Sequence, residues 1–465
     1  MGRSNNRHRP TSQGTYPAED MGMRSSLSRF TTTIVVALLA AACTSSTSPA
    51  PVTTPRPSGP PSSAQASAVP SETADQAAVW LPAGDLVEPR NATNAVVVGT
   101  GQVLVVGSDY QTSWLSACGA STDGSDSVEI GDPATGIWEK TTGLSSLRDD
   151  PALVVLPDGR ALLTGGAAGE NVGWSAFSST YIFDPTTGLW SRSGLLNTAR
   201  TAVAATVLAD GRVLVAGGMF MDRTSPDPPR LLETSELWDP GSGTWTRTGA
   251  LVETRVGASA VTLADGRVLI VGGAASLEGA PFEQGSAEVY DPTTGRWSPA
   301  GTLATARSGF VLVALRDGGA IIAGGFGELG PTGYARLSTT ERFDPVSNTW
   351  SAADDLPFPV AGAAAIRLPD GRVLLAGGSV RQAEFNDADP GTYISGLTAD
   401  AMLFDPETGR WTATTPMPSP RAGASAVLLA DGSAIFVGGS ASEGEPSTPG
   451  CPDAHPQVVR YVPGS

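Results

Sequence analysis

The stretches "RTAVAATVLADGRVLVAGG" (Arg200 to Gly218) and "ETSELWDPGSGTW" (Glu233 to Trp245) contain four short apolar runs that alternate with turn signals. The first two runs flank Asp210-Gly211, a dipeptide typical of a two-residue type I′ hairpin turn, in which both central residues need φ > 0. The third run ends in Asp239-Pro240, where the Asp carboxylate can cap the turn and Pro fixes φ. These stretches therefore predict four antiparallel strands joined by tight turns.

The same pattern recurs along most of the chain. Asp-Gly is repeated at Asp158, Asp265, Asp317, Asp370 and Asp431, and Asp-Pro at Asp132, Asp184, Asp291, Asp344 and Asp405. A Gly-Gly pair, which allows close backbone approach, stands at 165–166, 217–218, 272–273, 324–325, 377–378 and 438–439. Seven tryptophans mark the repeat: Trp80, Trp138, Trp190, Trp245, Trp297, Trp350 and Trp411. A repeat of about fifty residues with four strands is typical of a β-propeller blade.

The order of these motifs resembles a known family. "VLIVGG" (Val268 to Gly273) followed by "EVYDPTTGRW" (Glu288 to Trp297) is similar to a kelch repeat, and the resemblance extends from Trp80 to Tyr461. It implies an all-β fold, which we expect to be a seven-bladed β-propeller of four-stranded antiparallel blades covering residues 77–465.

The two ends of this region each contain part of one repeat. The last repeat stops at "VVRYVPGS" (Val458 to Ser465) before any Trp, and the first Trp, Trp80, has no repeat before it. Because open blades would expose unpaired strand edges, we expect the N-terminal strand to join the last three strands and close the ring.

Two cysteines lie in the repeats that closure would make neighbours. Cys118 and Cys451 each fall between the second and third strands of their repeats, the first and the last. Outside the reducing cytosol a disulfide is the expected outcome, and the alternative is two free thiols.

The N-terminal region indicates export. Arg24 and Arg29 precede the apolar run "FTTTIVVALLAAA" (Phe30 to Ala42), which is too short to span a bilayer, so residues 1–42 are read as a signal peptide. "LLAAAC", ending at Cys43, resembles a bacterial lipobox, which implies a lipidated Cys43 and a lipoprotein on the outer face of the cell membrane; simple secretion is the alternative. Residues 43–76 are rich in Pro, Ser and Thr and predict a disordered tether.

Function is expected on the face that carries the long connections, because binding residues concentrate on irregular loops. Three loops contain candidate ligand contacts: Tyr110 and Trp114 in the first repeat, residues 219–230 in the third, and Arg381, Phe385 and Tyr393 in the sixth. The alternative is that these side chains only pack over the core.

A recurring arginine precedes each first strand, at Arg90, Arg148, Arg200, Arg255, Arg307 and Arg421, with Val360 in the sixth repeat. In kelch-like propellers such residues approach the channel mouth, so the resemblance implies an anion site, for which Arg200, Arg255, Arg307 and Arg421 are the candidates. The alternative is that each arginine pairs with a nearby acid, such as Glu253 or Asp149, and holds the blades together.

The composition argues against several activities. A net charge of −17 disfavours nucleic acid as a partner. The kelch-like galactose oxidases need two His and a Tyr cross-linked to Cys for copper, whereas this chain has two histidines and His8 lies in the signal. We therefore expect no metal site and no cofactor, with His455 a solvated loop residue. The expected function is non-catalytic binding of a protein or carbohydrate at the cell surface. The alternative is a metal-free epimerase or mutarotase using Glu, Asp and Arg.

Overall fold

The computed structural model describes residues 77–90, 94–107, 128–141, 144, 148, 150–170, 173–225, 228–275, 283–328, 334–383, 393–441 and 455–464. Within these residues the regular structure is β-strand, arranged in seven four-stranded antiparallel sheets and a few smaller ones. The predicted all-β fold of four-stranded antiparallel blades is therefore confirmed, and each four-stranded sheet is called a blade below.

The strands of blades 1 to 4 follow the chain, except that β1 (Val79–Arg90) belongs to blade 7. Blade 1 contains β2 (Asn94–Val97), β3 (Val103–Val106), β4 (Glu129–Asp132) and β5 (Ile137–Lys140). Blade 2 contains β6 (Ala152–Val155), β7 (Ala161–Thr164), β10 (Ser179–Asp184) and β11 (Leu189–Leu195), with a hairpin of β8 (Ala167–Glu170) and β9 (Gly173–Ala176). Blade 3 contains β12 (Ala204–Val207), β13 (Val213–Ala216), β16 (Ser235–Asp239) and β17 (Thr244–Arg247), with a hairpin of β14 (Met219–Phe220) and β15 (Arg230–Leu231). Blade 4 contains β18 (Ser259–Thr262), β19 (Val268–Val271), β20 (Ser286–Asp291) and β21 (Arg296–Thr302).

Blades 5 to 7 complete the set. Blade 5 contains β22 (Val311–Ala314), β23 (Ala320–Ala323), β26 (Thr340–Asp344) and β27 (Thr349–Ala353), with a hairpin of β24 (Phe326–Glu328) and β25 (Tyr334–Arg336). Blade 6 contains β29 (Ala364–Arg367), β30 (Val373–Ala376), β33 (Ala401–Asp405) and β34 (Arg410–Thr414), with a small sheet of β28 (Val360–Ala361), β31 (Ser379–Ala383) and β32 (Tyr393–Leu397). Blade 7 contains β35 (Ser425–Leu428), β36 (Ala434–Val437), β37 (His455–Val462) and β1.

The ring closes as predicted. β1 pairs antiparallel with β37, with Trp80 opposite Tyr461. The Trp80 ring packs against Tyr461 and Phe436 with centroids 5.0 Å and 5.2 Å apart. The first strands of the blades, β2, β6, β12, β18, β22, β29 and β35, contact one another in a closed cycle. The two ends of the chain therefore share one sheet, and the first strands line the centre of the ring.

The core lies between the blades. The second strand of every blade is fully buried, because all four of its residues are apolar or, at Thr164, hydrogen-bonded. The tryptophans of the fourth strands connect neighbours: Trp245 Nε1 donates to Thr180 Oγ1 of blade 2 (2.8 Å), and Trp297 Nε1 donates to Ser235 Oγ of blade 3 (3.0 Å). The repeated Trp thus holds each blade against the one before it.

The turn between the first and second strands differs from the type I′ prediction. Leu208 N donates to Arg212 O (2.8 Å) and Gly211 N to Leu208 O (2.9 Å), so the loop holds three residues rather than two. Gly211 has φ 84°, whereas Asp210 keeps a negative φ because its carboxylate accepts a hydrogen bond from Arg212 N (3.1 Å). The predicted two-residue turn is wrong, and the observed one is a three-residue turn with Gly in the left-handed position.

Candidate functional site

The two faces of the ring are built differently. The turns between strands one and two in all seven blades, and between strands three and four in blades 1 to 6, are short; in blade 7 strands three and four are β37 and β1, which no turn joins. The connections between strands two and three lie on the opposite face, and within the described residues four of them contain further strands: β8–β9, β14–β15, β24–β25 and β31–β32. We call these surfaces the tight-turn face and the loop-rich face.

The hairpins of blades 2 and 3 contact each other on the loop-rich face. Ala176 N donates to Met221 O (2.9 Å), and Arg223 N donates to Ser175 Oγ (3.1 Å). The Trp174 side chain on β9 is 39% exposed, which is unusual for so large an apolar group. The Arg230 guanidinium lies 5.0 Å from the centre of the Phe220 ring. This surface combines exposed aromatic and cationic groups, a composition common in binding sites.

A second contact joins the hairpins of blades 5 and 6. Arg336 on β25 lies 5.3 Å from the centre of the Phe326 ring, and its Nε donates to Ser379 Oγ on β31 (2.8 Å). Neighbouring hairpins on this face are therefore fixed to one another as well as to their own blades.

Only some of the ligand contacts predicted in the loops belong to the described residues. Tyr110, Trp114 and Phe385 lie outside the described residues, as do Cys43, Cys118 and Cys451. Arg381 and Tyr393 lie on β31 and β32, where Ala383 pairs with Tyr393 and Arg381 with Ser395. The backbone thus places these two candidates on one hairpin of the loop-rich face.

The recurring arginines lie between blades and are buried. The side chains of Arg90, Arg200, Arg255, Arg307 and Arg421 are at most 1% exposed, and that of Arg148 is 4% exposed. Burial begins with the backbone: Gly218 N donates to Arg255 O (2.8 Å), and a Cβ on Gly217, which has φ 68°, would stand 2.5 Å from the same oxygen. The Gly-Gly pair therefore admits the arginine backbone of the next repeat.

Arg200 shows how the guanidinium is bound. Its Nη1 donates to Gly217 O (3.0 Å) and Thr234 O (2.8 Å), and its Nη2 donates to Glu236 Oε1 (2.7 Å). Glu236 also accepts from the backbone N of Asn197 (2.7 Å) and Thr198 (3.0 Å). The carboxylate thus joins the third strand of blade 3 to the connection that enters this blade.

The same ion pair recurs in three more blades. The Nη2–Oε1 distances are 3.0 Å for Arg90–Glu129, 2.9 Å for Arg255–Glu288 and 2.9 Å for Arg307–Glu341. Burial lowers the pKa of Arg200 and Arg307, and the paired Glu opposes that shift in each case. We call Arg90–Glu129, Arg200–Glu236, Arg255–Glu288 and Arg307–Glu341 the four Arg–Glu pairs.

Blades 2 and 7 keep the arginine without a glutamate. In blade 2, Tyr181 occupies the glutamate position, and its ring centre lies 4.9 Å from the Arg148 guanidinium. In blade 7, Val459 occupies it, and Arg421 donates to Gln457 O (2.8 Å) and Ser419 Oγ (3.1 Å) while its Nε has no partner among the described residues. Burial lowers the pKa of Arg148 and of Arg421 to about 10.

Blade 6 lacks both members of the pair. Val360 stands in the arginine position and Met402 in the glutamate position, and both belong to one apolar cluster. Pro357, three residues before Val360, has no N–H to offer, and Pro418 stands in the same place before Arg421. The repeats without a glutamate in blades 6 and 7 therefore also lack one of the backbone donors that it would accept.

These contacts favour the structural alternative for Arg200, Arg255, Arg307 and Arg421, since their donors are directed into the protein. Arg255 lies 2.9 Å from Glu288 and 4.0 Å from Glu253, the neighbouring acid that the sequence suggested, whereas Asp149 lies outside the described residues. Sequence reasoning missed the glutamates of the third strands, although each stands three residues before the Asp of Asp-Pro.

His455 is the first residue of β37 and 8% exposed, so the prediction of a solvated loop residue is wrong. Its Nδ1 has no partner among the described residues. Burial, with the nearby Arg421 charge, lowers the pKa of His455 to about 4, and Asp85 partly opposes this shift.

The described part of the chain contains no group of three His, Cys, Asp or Glu residues placed to hold a metal ion. Nor does it contain a helix long and apolar enough to cross a membrane.

Comparison with curated proteins finds partial similarity to kelch proteins. The chain is 27% identical over 184 residues to the Caenorhabditis elegans spermatocyte protein spe-26, covering 39% of this chain and 30% of that protein. It is 26% identical over 267 residues to human kelch-like protein 23 (57% and 42%) and 26% identical over 257 residues to the Aspergillus terreus kelch-like protein terF (53% of each). The chain thus spans about half or less of the length of these relatives. No family model matches it.

Among solved structures, the chain is similar to a fungal alcohol oxidase of the AA5 family in complex with copper. The TM-score is 0.61 and the identity 23%, with 83% of this chain and 76% of that chain covered. At this identity the similarity supports the fold alone.

Proposed function

We propose that this chain, a kelch-repeat β-propeller, is a binding scaffold that engages a protein ligand through its loop-rich face. The observation that carries the proposal is the asymmetry of the ring within the described residues: every added hairpin lies on one face, while the turns on the other face are all short. The kelch similarity supports it, because propeller faces with variable loops are suited to recognition.

The hairpin surface of blades 2 and 3 is the best-defined part of this candidate interface. Trp174 supplies exposed apolar area, and Arg223 and Arg230 supply exposed guanidinium groups. Trp and Arg are the residue types that contribute most at protein interfaces, since they combine large contact area with directed hydrogen bonds. The affinity of a ligand that contacts this surface should therefore depend on Trp174.

Site-specific photo-crosslinking tests the choice of face. A photoreactive residue at Trp174 should give covalent adducts with a partner when the full chain is expressed in its own cells. The same residue at Val346, which is 92% exposed in a turn of the tight-turn face, is the matched control. Adducts at Val346 but not at Trp174 would indicate an interface on the tight-turn face and would contradict the proposal.

A carbohydrate ligand is the second candidate, favoured by the exposed Trp174 ring, since an aromatic ring among polar groups suits sugar binding. A metal-free epimerase or mutarotase remains the enzymatic form of this alternative. NMR of candidate sugars with the full chain separates the outcomes: perturbed sugar signals indicate binding, and rapid anomer exchange indicates catalysis.

For the location we propose export, with Cys43 lipidated or the protein secreted. The support is the Arg24 and Arg29 region, the apolar run before Cys43 and the tether after it. Labelling with a fatty-acid analogue should mark the wild-type protein and not Cys43→Ser. Secretion without an anchor predicts no label in either protein.

A further inference from the structure

On the tight-turn face, the seven turns between first and second strands all lie within the described residues, so their charges can be compared turn by turn. Six of the seven turns between first and second strands contain the Asp of Asp-Gly, and each of these carboxylates forms an ion pair with an arginine. The pairs are Asp158–Arg160, Asp210–Arg212, Asp265–Arg267, Asp317–Arg342, Asp370–Arg372 and Asp431–Arg460. The seventh turn, at residues 98–102, has no charged side chain. Charge in this inner set of turns is therefore balanced pair by pair.

Two arginines remain outside this balance. Arg316 lies in the turn after β22, and Arg367 is the last residue of β29. The other blades hold small or cyclic residues in place of Arg316, namely Gly99, Pro157, Ala209, Ala264, Pro369 and Ala430. In place of Arg367 they hold uncharged residues, namely Val97, Val155, Val207, Thr262, Ala314 and Leu428. Both extra charges thus occur in neighbouring blades, 5 and 6, at the end of the innermost strands.

The two side chains cross the same boundary between blades. Arg367 of blade 6 donates from Nη1 to Ala314 O of blade 5 (3.0 Å). Arg316 of blade 5 lies against the turn of blade 6: a Cβ on Gly371, which has φ 98°, would stand 3.2 Å from Arg316 Cδ. Glycine at this position makes room for the arginine stem. Arg316 and Arg367 therefore reach across the boundary between blades 5 and 6 from opposite sides, at the ends of the innermost strands.

Neither guanidinium has an acidic partner in the described part of the chain. Arg316 forms no hydrogen bond or ion pair there, and Arg367 forms the one bond to Ala314 O. The nearest turn carboxylates are occupied, since Asp317 pairs with Arg342 and Asp370 with Arg372. Within the described residues, two positive charges thus stand without an acidic partner on the tight-turn face of a protein whose net charge is −17.

We propose that Arg316 and Arg367 form a binding site for an oxyanion, the carboxylate or phosphate group of a small ligand. The guanidinium fork presents parallel N–H donors whose spacing matches both kinds of oxyanion. The acids on the outer turns of this face, such as Asp291 and Asp344, hold their carboxylates in hydrogen bonds with their own turns, and those bonds lower their pKa. A large polyanion would approach these ionised groups, so the site favours a small ligand. This proposal is independent of the function assigned to the loop-rich face.

Calorimetric titration of the full chain at constant ionic strength tests the proposal. Citrate and inorganic phosphate are the two probes, and chloride is the reference anion. We expect saturable binding of at least one probe, and a loss of tenfold or more in affinity in the Arg316→Gln/Arg367→Gln double variant. The probe that binds assigns carboxylate or phosphate chemistry to the site.

Arg410→Gln is the matched control, because Arg410 is 76% exposed and its removal changes the net charge in the same direction without touching the site. No saturable binding beyond that of chloride, or equal binding by the double variant, would overturn the proposal. If the double variant does not fold, affinity is measured for Arg316→Gln alone, since Arg316 is exposed and loses no hydrogen bond or ion pair to any described residue.

Discussion

In blade 3 the connection from the preceding blade is fixed by the buried Arg200–Glu236 ion pair, whereas in blade 6 the corresponding Val360 and Met402 pack in an apolar cluster. The backbone is held in the same way in both, because Gly166 N donates to Arg200 O (3.0 Å) and Gly325 N donates to Val360 O (2.8 Å). One repeat architecture therefore tolerates two chemistries at this point, a buried ion pair in blade 3 and an apolar pair in blade 6.

The physical reason is the cost of an unpaired buried charge. A buried ion pair and a well-packed apolar pair are often close in stability, whereas either half alone is strongly destabilising. Pro357 fits this account, since it removes a backbone N–H that would need the glutamate as acceptor. Blade 7 is intermediate: it has the proline and lacks the glutamate but keeps Arg421, whose guanidinium relies on backbone and hydroxyl oxygens.

The largest effect is expected from Arg200→Met, which leaves Glu236 buried and uncompensated. We expect a loss of about 3–5 kcal/mol in the free energy of unfolding, measured by denaturant titration. Arg410→Met, an exposed control, should change it by less than about 0.5 kcal/mol.

The Arg200→Met/Glu236→Met double variant converts blade 3 to the chemistry of blade 6. It should be at least about 1 kcal/mol more stable than Arg200→Met alone, because residues in direct contact are energetically coupled. A double variant less stable than the single one would show that blade 6 depends on some feature other than paired replacement.

The fold could be predicted from the sequence to a large extent because its signals are local and repeated. The Asp-Gly and Asp-Pro turns, the buried second strands and the incomplete repeats at the two ends each specify structure within a few residues or by simple counting. Even so, the turn type was wrong, because the Asp210 carboxylate bonds to its own turn and keeps φ negative.

The site was harder to predict because its partners come from distant parts of the chain. The repeat marks Arg200, but its acceptor Glu236 is 36 residues away on a strand whose register the sequence does not specify. The proline-rich surroundings of His455 predict a loop, whereas pairing with β1 buries this residue. Long-range pairing, rather than local pattern, decides which polar residues are exposed.

Trp80→Ala tests how much Trp80 contributes to the stability of blade 7, which lacks an Arg–Glu pair. Trp80 packs on Tyr461 and Phe436 and donates from Nε1 to Thr415 O (2.7 Å), so it fixes the N-terminal strand. We expect a loss of about 3 kcal/mol on thermal or denaturant unfolding. Val79→Ala on the same strand, at a side chain that is 44% exposed, should have little effect. Equal losses in the two variants would argue against a specific role for Trp80.

The burial of His455 in blade 7 predicts that the free energy of unfolding depends on pH. Its pKa in the fold is about 4, below the ordinary value of about 6.5, so the folded state holds His455 neutral. Between pH 6.5 and pH 4 the unfolded chain therefore binds more protons than the folded chain. The stabilising contribution of neutral His455 is present above pH 6.5 and is lost as the pH falls towards 4. The loss is at most about 3 kcal/mol, at 1.36 kcal/mol per pKa unit. His455→Gln should flatten this part of the stability profile, and an unchanged slope would assign it to the carboxylates.

The smallest effect is expected from Arg160→Gln, which removes an arginine–carboxylate pair of similar geometry to Arg200–Glu236 but in water. The Arg160 Nη2–Asp158 Oδ2 distance is 2.7 Å, and the two side chains are 40% and 50% exposed. Because solvent screens exposed charges and either partner is hydrated when alone, we expect a change of at most about 0.5 kcal/mol in the free energy of unfolding, smaller still at 1 M salt. Denaturant titrations of Arg160→Gln and Arg200→Gln at low and high salt give the comparison directly. A loss in Arg160→Gln as large as that in Arg200→Gln would mean that ion-pair geometry, and not burial, sets the stability of these blades.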